Sequence, residues 1–142
     1  MKRSASAIWQ GNLKKGKGSI STQSGILKEA QQYGFNTRFE NGPGTNPEEL
    51  IGAAHAGCFT MAMAAQLGQA GMTADSLKTT ATVTLEKIGS DFTITAVHLD
   101  LLAKIPDASQ QAFETVANHA KLNCPVSKLL NAKITLDAKL EN

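Results

Sequence analysis

The stretch from Thr45 to Gly68, TNPEELIGAAHAGCFTMAMAAQLG, predicts the long helix around which the fold is organised. Asn46 has the side chain of a helix N-cap, Pro47 suits the first helical position, and two acidic residues follow in the first turn. From Leu50 onward the stretch is apolar almost all round, which is typical of a helix buried on every side. Its few polar or reactive residues are His55, Cys58 and Thr60.

Length and charge limit what the rest of the chain can be. With 142 residues, the chain can bury a real core, and we expect one domain over residues 1–142. A net charge of +2, with both signs interspersed, argues against a nucleic-acid partner, which usually needs a clustered basic face. The local cluster of Lys14, Lys15 and Lys17 lies among glycines, and a solvated hairpin turn explains it more simply than a phosphate cradle.

The expected location is the cytoplasm. We find no apolar run near the roughly 20 charge-free residues of a membrane span, so we expect no membrane partner. Lys2 and Arg3 are not followed by the apolar segment of a secretory signal. In the cytoplasm Cys58 and Cys124 would be reduced at rest, and a disulfide between them would be catalytic or sensory.

The hydrophobic pattern predicts two hairpins, two main helices and a last strand. Alternating and turn residues favour strands at 3–10, 18–27, 79–89, 92–105 and 133–140, and helices at 47–68, 108–122 and 125–130. This order indicates an α+β fold of mostly antiparallel strands. His98 falls on a strand and His119 on the second helix, and we interpret both as surface or packing residues. One sheet covers one side of an apolar helix, so a homodimer would cover the other.

The segment 28–44 is too rich in glycine, asparagine and proline for a regular element. It nevertheless keeps Tyr33, Phe35, Phe39 and Arg38, and a long loop with rings and an arginine is often functional. The alternative is that the rings close the edge of the core and that Arg38 is a surface charge.

The two cysteines allow several interpretations. Both could be small buried apolar residues, which is common for free cysteine. His55-x-x-Cys58 supplies only half of a zinc site, so we expect no metal. Cys124 lies between two helices, where N-terminal amides can stabilise a thiolate. Cys58 lies in the middle of a helix, so a reactive thiolate there would need a separate cation, and Arg38 is the obvious candidate. A guanidinium drawn into an apolar site would itself need a carboxylate partner.

The whole chain resembles the OsmC/Ohr family of osmotically inducible and organic hydroperoxide resistance proteins. The residues that carry this resemblance are NPEEL at 46–50, AHAGCF at 54–59, YGFNTR at 33–38, NCP at 123–125 and the last strand. The position of Arg38, in the loop before the central helix, resembles that of the arginine in the OsmC branch of the family. The resemblance implies two mostly antiparallel sheets wrapped around two central helices in an intertwined homodimer.

The resemblance also implies a thiol-dependent peroxidase without cofactor or metal. Cys58 matches the peroxidatic nucleophile, Cys124 the resolving thiol, Arg38 the activating arginine and Glu48 the carboxylate that holds it. The implied substrate is an organic hydroperoxide, with hydrogen peroxide a weaker one, and the implied reductant is a dithiol, expected to be a lipoyl-bearing protein. An apolar substrate pocket would use Tyr33, Phe35, Phe59 and Met61, although Met61 could simply be a core residue.

Helix geometry adds one expectation to this mechanism. Glu48 and Cys58 lie ten residues apart on one helix, or about 15 Å at 1.5 Å per residue. We therefore expect Arg38 and Glu48 to serve the cysteine pair of the other subunit, and Glu49, at the capping-box position, to be structural. The rival hypothesis is a non-enzymatic dimeric stress protein that binds an apolar ligand in the interface pocket and keeps its cysteines inert.

Overall fold

The computed structural model describes residues 1–27 and 31–141, in two compact units, Met1–Leu50 and Ile51–Asn142. The predicted α+β class with two sheets is confirmed. The single domain expected over residues 1–142 stays a prediction. Part of the loop expected at 28–44, namely Lys28, Glu29 and Ala30, lies outside the described residues, as does Asn142.

The first unit is a three-stranded antiparallel sheet followed by a short helix. Its elements are β1 (Ala5–Gln10), β2 (Lys17–Thr22), β3 (Gln31–Tyr33), α1 (Phe35–Phe39) and the start of α2 (Pro47–Gln69). The predicted first hairpin is correct, with the lysine cluster at its exposed turn. We expected the segment 28–44 to be irregular, but its described part contains a strand and a short helix. β3 pairs with the edge of β2, and the Thr37 hydroxyl closes the first turn of α1 by donating to the Gly34 carbonyl oxygen, 3.0 Å away.

The second unit holds most of α2, a second sheet and two further helices. Its other elements are β4 (Ser76–Ile88), β5 (Asp91–Lys104), α3 (Gln110–Asn123), α4 (Pro125–Leu129) and β6 (Lys133–Glu141). β4 and β5 form the expected hairpin, and the Ser109 hydroxyl caps α3 by accepting from the Ala112 N–H at 3.2 Å. β6 pairs with β5 in parallel, because the chain crosses over through α3 before it returns to the sheet.

The core of this unit lies between α2, α3 and the second sheet. Its fully buried side chains include Phe59, Met63 and Leu67 from α2, Val97 and Leu99 from β5, and Phe113 from α3. Gly52 lets α2 approach β4 closely, since a Cβ there would lie 3.2 Å from the Ala81 carbonyl oxygen. α2 ends at Gln69, and the φ of 73° at Gly71 allows the Met72 N–H to donate back to the Leu67 carbonyl oxygen.

α2 differs from our expectations in two ways. By length and composition alone it could cross a membrane, contrary to the expectation that no run approaches that length, although a core helix of a soluble protein meets the same criteria. It is also not buried on every side within the protomer. One face packs into the core, and the other exposes a row of apolar residues: Ala53, Ala54, Gly57, Met61, Ala64, Ala65 and Gly68.

Candidate active site

The two cysteines, 66 positions apart in sequence, meet in the second unit. The Sγ atoms of Cys58 and Cys124 lie 3.2 Å apart, and both thiols are free. A disulfide bond is about 2.05 Å long, so the sulfurs are in contact but unbonded, and a small movement would join them. Cys124 is fully buried, whereas Cys58 is partly exposed. Of the two sulfurs, Cys58 is the one that a reagent could reach.

The backbone fixes Cys124 at the junction between α3 and α4. Its N–H donates to the Ala120 carbonyl oxygen at 2.9 Å, which closes α3, and its own carbonyl oxygen accepts from the Lys128 N–H at 3.1 Å, which begins α4. Pro125 occupies the first position of α4, where its missing N–H costs nothing. The same residue therefore ends one helix and begins the next, with its side chain turned toward Cys58.

Burial, a backbone amide and the second thiol all affect the pKa of Cys58. Burial has the largest effect and raises the pKa, the backbone N–H of Val126 lowers it by donating to the sulfur, and the neighbouring Cys124 thiol raises it. We expected the amides at the start of α4 to serve Cys124, but the amide that bonds to a thiol serves Cys58. The net pKa is raised, so a thiolate at neutral pH needs a further positive charge.

The first unit contains a guanidinium–carboxylate pair. Arg38 lies in the last turn of α1 and Glu48 in the first turn of α2. The Arg38 Nη2 is 2.6 Å from Glu48 Oε1, and Nε is 3.1 Å from both carboxylate oxygens. Such a fork fixes the orientation of the guanidinium as well as its position.

Asn46 aligns the two helices that carry this pair. Its Oδ1 accepts from the Glu49 N–H at 2.8 Å, as expected of an N-cap, and its Nδ2 donates to the Thr37 carbonyl oxygen at 3.2 Å. The side chain thus joins the end of α1 to the start of α2. The Glu49 carboxylate accepts from the Thr45 hydroxyl at 2.9 Å, which agrees with a structural role.

An apolar cavity of about 300 Å³ opens beside Arg38 in the first unit. Its walls are Trp9, Leu13, Tyr33, Gly34, Phe35, Arg38, Phe39 and Pro47. Tyr33 and Phe35 therefore line a cavity, and their role in binding a substrate stays a prediction. Trp9, Leu13 and Pro47 were missed, because only the pairing of β2 with its neighbours on both sides brings the first hairpin beside β3.

The other two predicted pocket residues are elsewhere. Phe59 is completely buried among the core side chains of the second unit. It lies on the inward face of α2, in line with Met63 and Leu67, whereas the sequence alone made the helix equally apolar on all faces. Met61 is 76% exposed on the opposite face, so it is not a core residue of the single chain. A pocket role for Phe59 and Met61 stays a prediction.

The three histidines have different environments. His55 is fully buried and bonds through Nε2 to the Ser127 hydroxyl at 2.8 Å, while the exposed His119 bonds to Gln66. His98, Asp100 and Asp137 form a cluster on β5 and β6 whose ligand atoms lie within 4.8 Å of one another. That cluster could hold a divalent cation, but exposed acidic groups are often arranged in this way without one.

The fold and the paired thiols define a class, that of α+β proteins with two free cysteines in contact. The family described as OsmC-like protein matches residues 40–139. The chain is 51% identical over 136 residues to the Peroxiredoxin OsmC of Escherichia coli, covering 96% of this chain and 94% of the relative. This protein therefore belongs to the OsmC-like family, as the sequence motifs predicted.

Solved structures agree on the fold. The organic hydroperoxide resistance protein OhrB of Bacillus subtilis is similar, with a TM-score of 0.65 at 24% identity, over 97% of this chain and 98% of that one. An organic hydroperoxide resistance protein from Elizabethkingia anophelis is also similar, with a TM-score of 0.72 at 21% identity, over 100% and 98% of the two chains. At these identities the likeness is one of fold.

Proposed function

We propose that this protein reduces organic hydroperoxides, and hydrogen peroxide more weakly, with Cys58 as the peroxidatic thiol and Cys124 as the resolving thiol. The observation that carries this proposal is the 3.2 Å contact between the two free sulfurs, one accessible and one fully buried. The predicted enzyme class, a cysteine-based peroxidase, is confirmed at the level of class by the 51% identical relative named Peroxiredoxin OsmC. The names of the relatives support a peroxide-related function.

The proposed reaction has two balanced steps. The Cys58 thiolate attacks one oxygen of the hydroperoxide, the O–O bond breaks, and the leaving alkoxide takes a proton to give an alcohol. Cys58 is now a sulfenic acid. The Cys124 sulfur attacks the Cys58 sulfur, water leaves, and a disulfide forms before a second peroxide can oxidise the sulfenic acid further.

Arg38 and Glu48 would supply the charge that Cys58 lacks. Burial raises the pKa of Cys58, and a guanidinium beside the sulfur would lower it by favouring the thiolate. Glu48 and Cys58 are about 15 Å apart along α2, at 1.5 Å per residue. We therefore assign the Arg38–Glu48 pair of each protomer to the cysteines of its partner subunit in a homodimer.

The exposed face of α2 supports the homodimer. Its residues, such as Gly57, Met61 and Gly68, are apolar and recur with helical spacing over most of the helix. A second copy that presented its own α2 to this face would give two central helices wrapped by two sheets. The small residues would allow the two helices to approach closely.

The cavity beside Arg38 would receive the substrate. Its rings would hold the organic part of a hydroperoxide, and the guanidinium at its edge would orient the O–O group. Hydrogen peroxide has no organic part to bind there, so it would react more slowly. No metal or cofactor is required in this mechanism.

The oxidised enzyme would then need a dithiol reductant. Because Cys124 is fully buried, the reductant would attack the Cys58 sulfur, and a slender dithiol arm suits this better than a dithiol on a protein surface. We therefore propose a lipoyl-bearing protein as the donor. A cytoplasmic location fits the two free thiols of the resting protein.

Single-turnover thiol loss tests the function. The reduced protein is mixed with cumene hydroperoxide or hydrogen peroxide, and its remaining thiols are counted with time in the wild type, Cys124→Ser and Cys58→Ser. We expect fast loss of two thiols in the wild type with the organic peroxide, slower loss with hydrogen peroxide, loss of one thiol in Cys124→Ser, and none in Cys58→Ser.

The rival function makes the opposite forecast. If the protein only binds an apolar ligand, neither peroxide would consume its thiols faster than it consumes free cysteine. Iodoacetamide would then label the cysteines only after unfolding, whereas a reactive Cys58 should be alkylated in the folded protein and be protected by prior hydroperoxide. Protein thiols that react with the peroxides no faster than free cysteine does would overturn the proposal.

A further inference from the structure

His55 lies one helical turn before Cys58 and bonds to the helix on which the thiol site depends. Its ring is fully buried, and Nε2 lies 2.8 Å from the Ser127 hydroxyl oxygen in the middle of α4. Residues three apart on a helix are neighbours on its surface, so His55 and Cys58 both face α4. The hydrogen bond therefore joins α2 to α4 beside the sulfurs.

α4 is a short helix at the surface of this unit. It has five residues, none of them buried, and Leu129 is 79% exposed. A helix of this length is unstable without tertiary contacts. Val126 and Leu130 pack against the core, and the His55–Ser127 bond adds a directional contact to that packing.

The position of α4 matters to both thiols. The Val126 N–H in its first turn donates to the Cys58 sulfur, and Cys124 is its N-cap. Any rotation or lift of α4 would lengthen the Val126 bond and the Sγ–Sγ distance together. The helix that His55 contacts thus carries two features of the site.

The buried ring carries a cost that packing alone does not explain. Its Nδ1 is buried without a hydrogen-bond partner among the described residues. An orphaned acceptor is tolerated better than an orphaned donor, which assigns the proton to Nε2 and makes Ser127 Oγ the acceptor. An apolar residue of similar size would avoid the unpaired nitrogen, so the histidine has a use, and that use is the bond made by Nε2.

We propose that His55, acting through Ser127, is a positioning residue that holds α4 so that the Val126 N–H and the Cys124 sulfur stay on Cys58. Its role in the catalytic cycle rests on the proposed peroxidase function. The geometric part, the alignment of the two sulfurs, does not. It predicts that the thiols respond to Ser127 in any reaction that joins them.

The test compares Ser127→Ala with Thr60→Ala. Thr60 also lies on α2 and bonds to another element, donating to the Thr79 hydroxyl of β4 at 2.7 Å, so this control removes a similar bond that does not touch α4. Two readouts are measured on both variants. The first is the pH profile of Cys58 alkylation by iodoacetamide in a Cys124→Ser background. The second is the rate at which diamide converts the two thiols to a disulfide, with the two hydrogens passing to diamide.

We expect Ser127→Ala to shift the alkylation profile to higher pH and to slow disulfide closure about fivefold, the equivalent of one net hydrogen bond. Ser127→Thr, which keeps the hydroxyl, should restore both readouts, and Thr60→Ala should change neither. His55→Gln, which retains an N–H that can reach Ser127, should be closer to wild type than His55→Leu. Equal behaviour of Ser127→Ala and Thr60→Ala in both readouts would overturn the inference.

The diamide readout separates this inference from the proposed function. If diamide closure depends on Ser127 while cumene hydroperoxide leaves the wild-type thiols intact, the positioning role stands and the peroxidase function fails. If the peroxide reacts as proposed but closure and alkylation ignore Ser127, the function stands and the positioning role fails.

Discussion

The Arg38 guanidinium donates hydrogen bonds to the Glu48 carboxylate through two nitrogens. Nε lies 3.1 Å from both oxygens, and Nη2 lies 2.6 Å from Oε1. The Arg38 side chain is 35% exposed, so solvent weakens the pair and limits its contribution to folding. Its geometry nevertheless fixes the guanidinium beside an apolar cavity. The pair is therefore better suited to orienting a charge than to stabilising the fold.

Replacing Arg38 should impair the chemistry more than the stability. We expect Arg38→Met to lower kcat/KM for cumene hydroperoxide by tenfold or more, since each unit of increase in thiol pKa removes about nine-tenths of the thiolate. The free energy of unfolding should change by less than about 1 kcal/mol. Arg38→Lys keeps the charge but loses the two-nitrogen contact with Glu48, so its kcat/KM should lie between those of the wild type and Arg38→Met. Peroxide kinetics and urea unfolding on the same samples check this, and a large loss of stability with unchanged kinetics would refute it.

In the proposed homodimer, mixed dimers can show which subunit's Arg38 serves each Cys58. Cys58→Ser protomers are expected to be inactive and Arg38→Met protomers to keep a tenth of the wild-type activity or less, and the two are mixed, unfolded and refolded together. If Arg38 acts on the partner's Cys58, each mixed dimer contains one intact site with Arg38 from one chain and Cys58 from the other. Activity should then return, to about half of the wild-type value per mixed dimer. No recovery in verified mixed dimers would mean that each arginine serves its own chain.

Substitutions at two phenylalanines should distinguish a core residue from a wall of the proposed substrate cavity. Phe59 is fully buried, and Phe59→Ala should cost about 3–5 kcal/mol of the free energy of unfolding. Phe35 is a partly buried wall of the cavity, and Phe35→Ala should cost less, on the order of 1 kcal/mol, while raising KM for the organic peroxide. Urea titration and peroxide kinetics test both. A Phe59→Ala variant that is as stable as the wild type but has a raised KM would indicate that Phe59 is a pocket residue and not a core residue.

Stability should fall in mildly acidic solution because of His55. Burial lowers the pKa of His55 below its ordinary 6.5, so in this range the unfolded chain binds more protons than the folded one. The stabilisation is fully present above about pH 6.5 and is lost as the pH falls toward the folded pKa, at no more than about 1.4 kcal/mol per pH unit.

Urea unfolding between pH 5 and 8 measures this loss. His55→Gln should remove the part of the slope that His55 contributes. Identical slopes in the wild type and His55→Gln would contradict the assignment.

Local sequence rules found most of the fold because most of its signals are local. The Asn46 cap, the proline after it and the alternating threonines of β4 each act over a few residues, and α2 and the second hairpin were found where expected. β3 was missed because it depends on a distant partner, and α1 because five residues are too few to show a helical period. A three-residue strand has little propensity of its own and forms by pairing with β2.

The site was less accessible to such rules. The contact between Cys58 and Cys124 depends on the crossover of α3, and nothing in either local sequence states it, so only the family resemblance placed the two together. The Val126 contribution comes from a backbone N–H, which leaves no residue-type signal at all. Ser127, three residues after Cys124, offered a hydroxyl as a signal, but its partner His55 lies 72 positions earlier.

The mass of the protein after one equivalent of cumene hydroperoxide tests the central claim most directly. We predict that the reduced wild type loses two hydrogen atoms and gains no oxygen, and that peptide mapping joins Cys58 to Cys124. Cys124→Ser should instead gain oxygen at Cys58, first as a sulfenic acid that dimedone traps. A wild-type protein that keeps both thiols, or that gains oxygen at Cys58 as readily as Cys124→Ser, would contradict the two-cysteine mechanism.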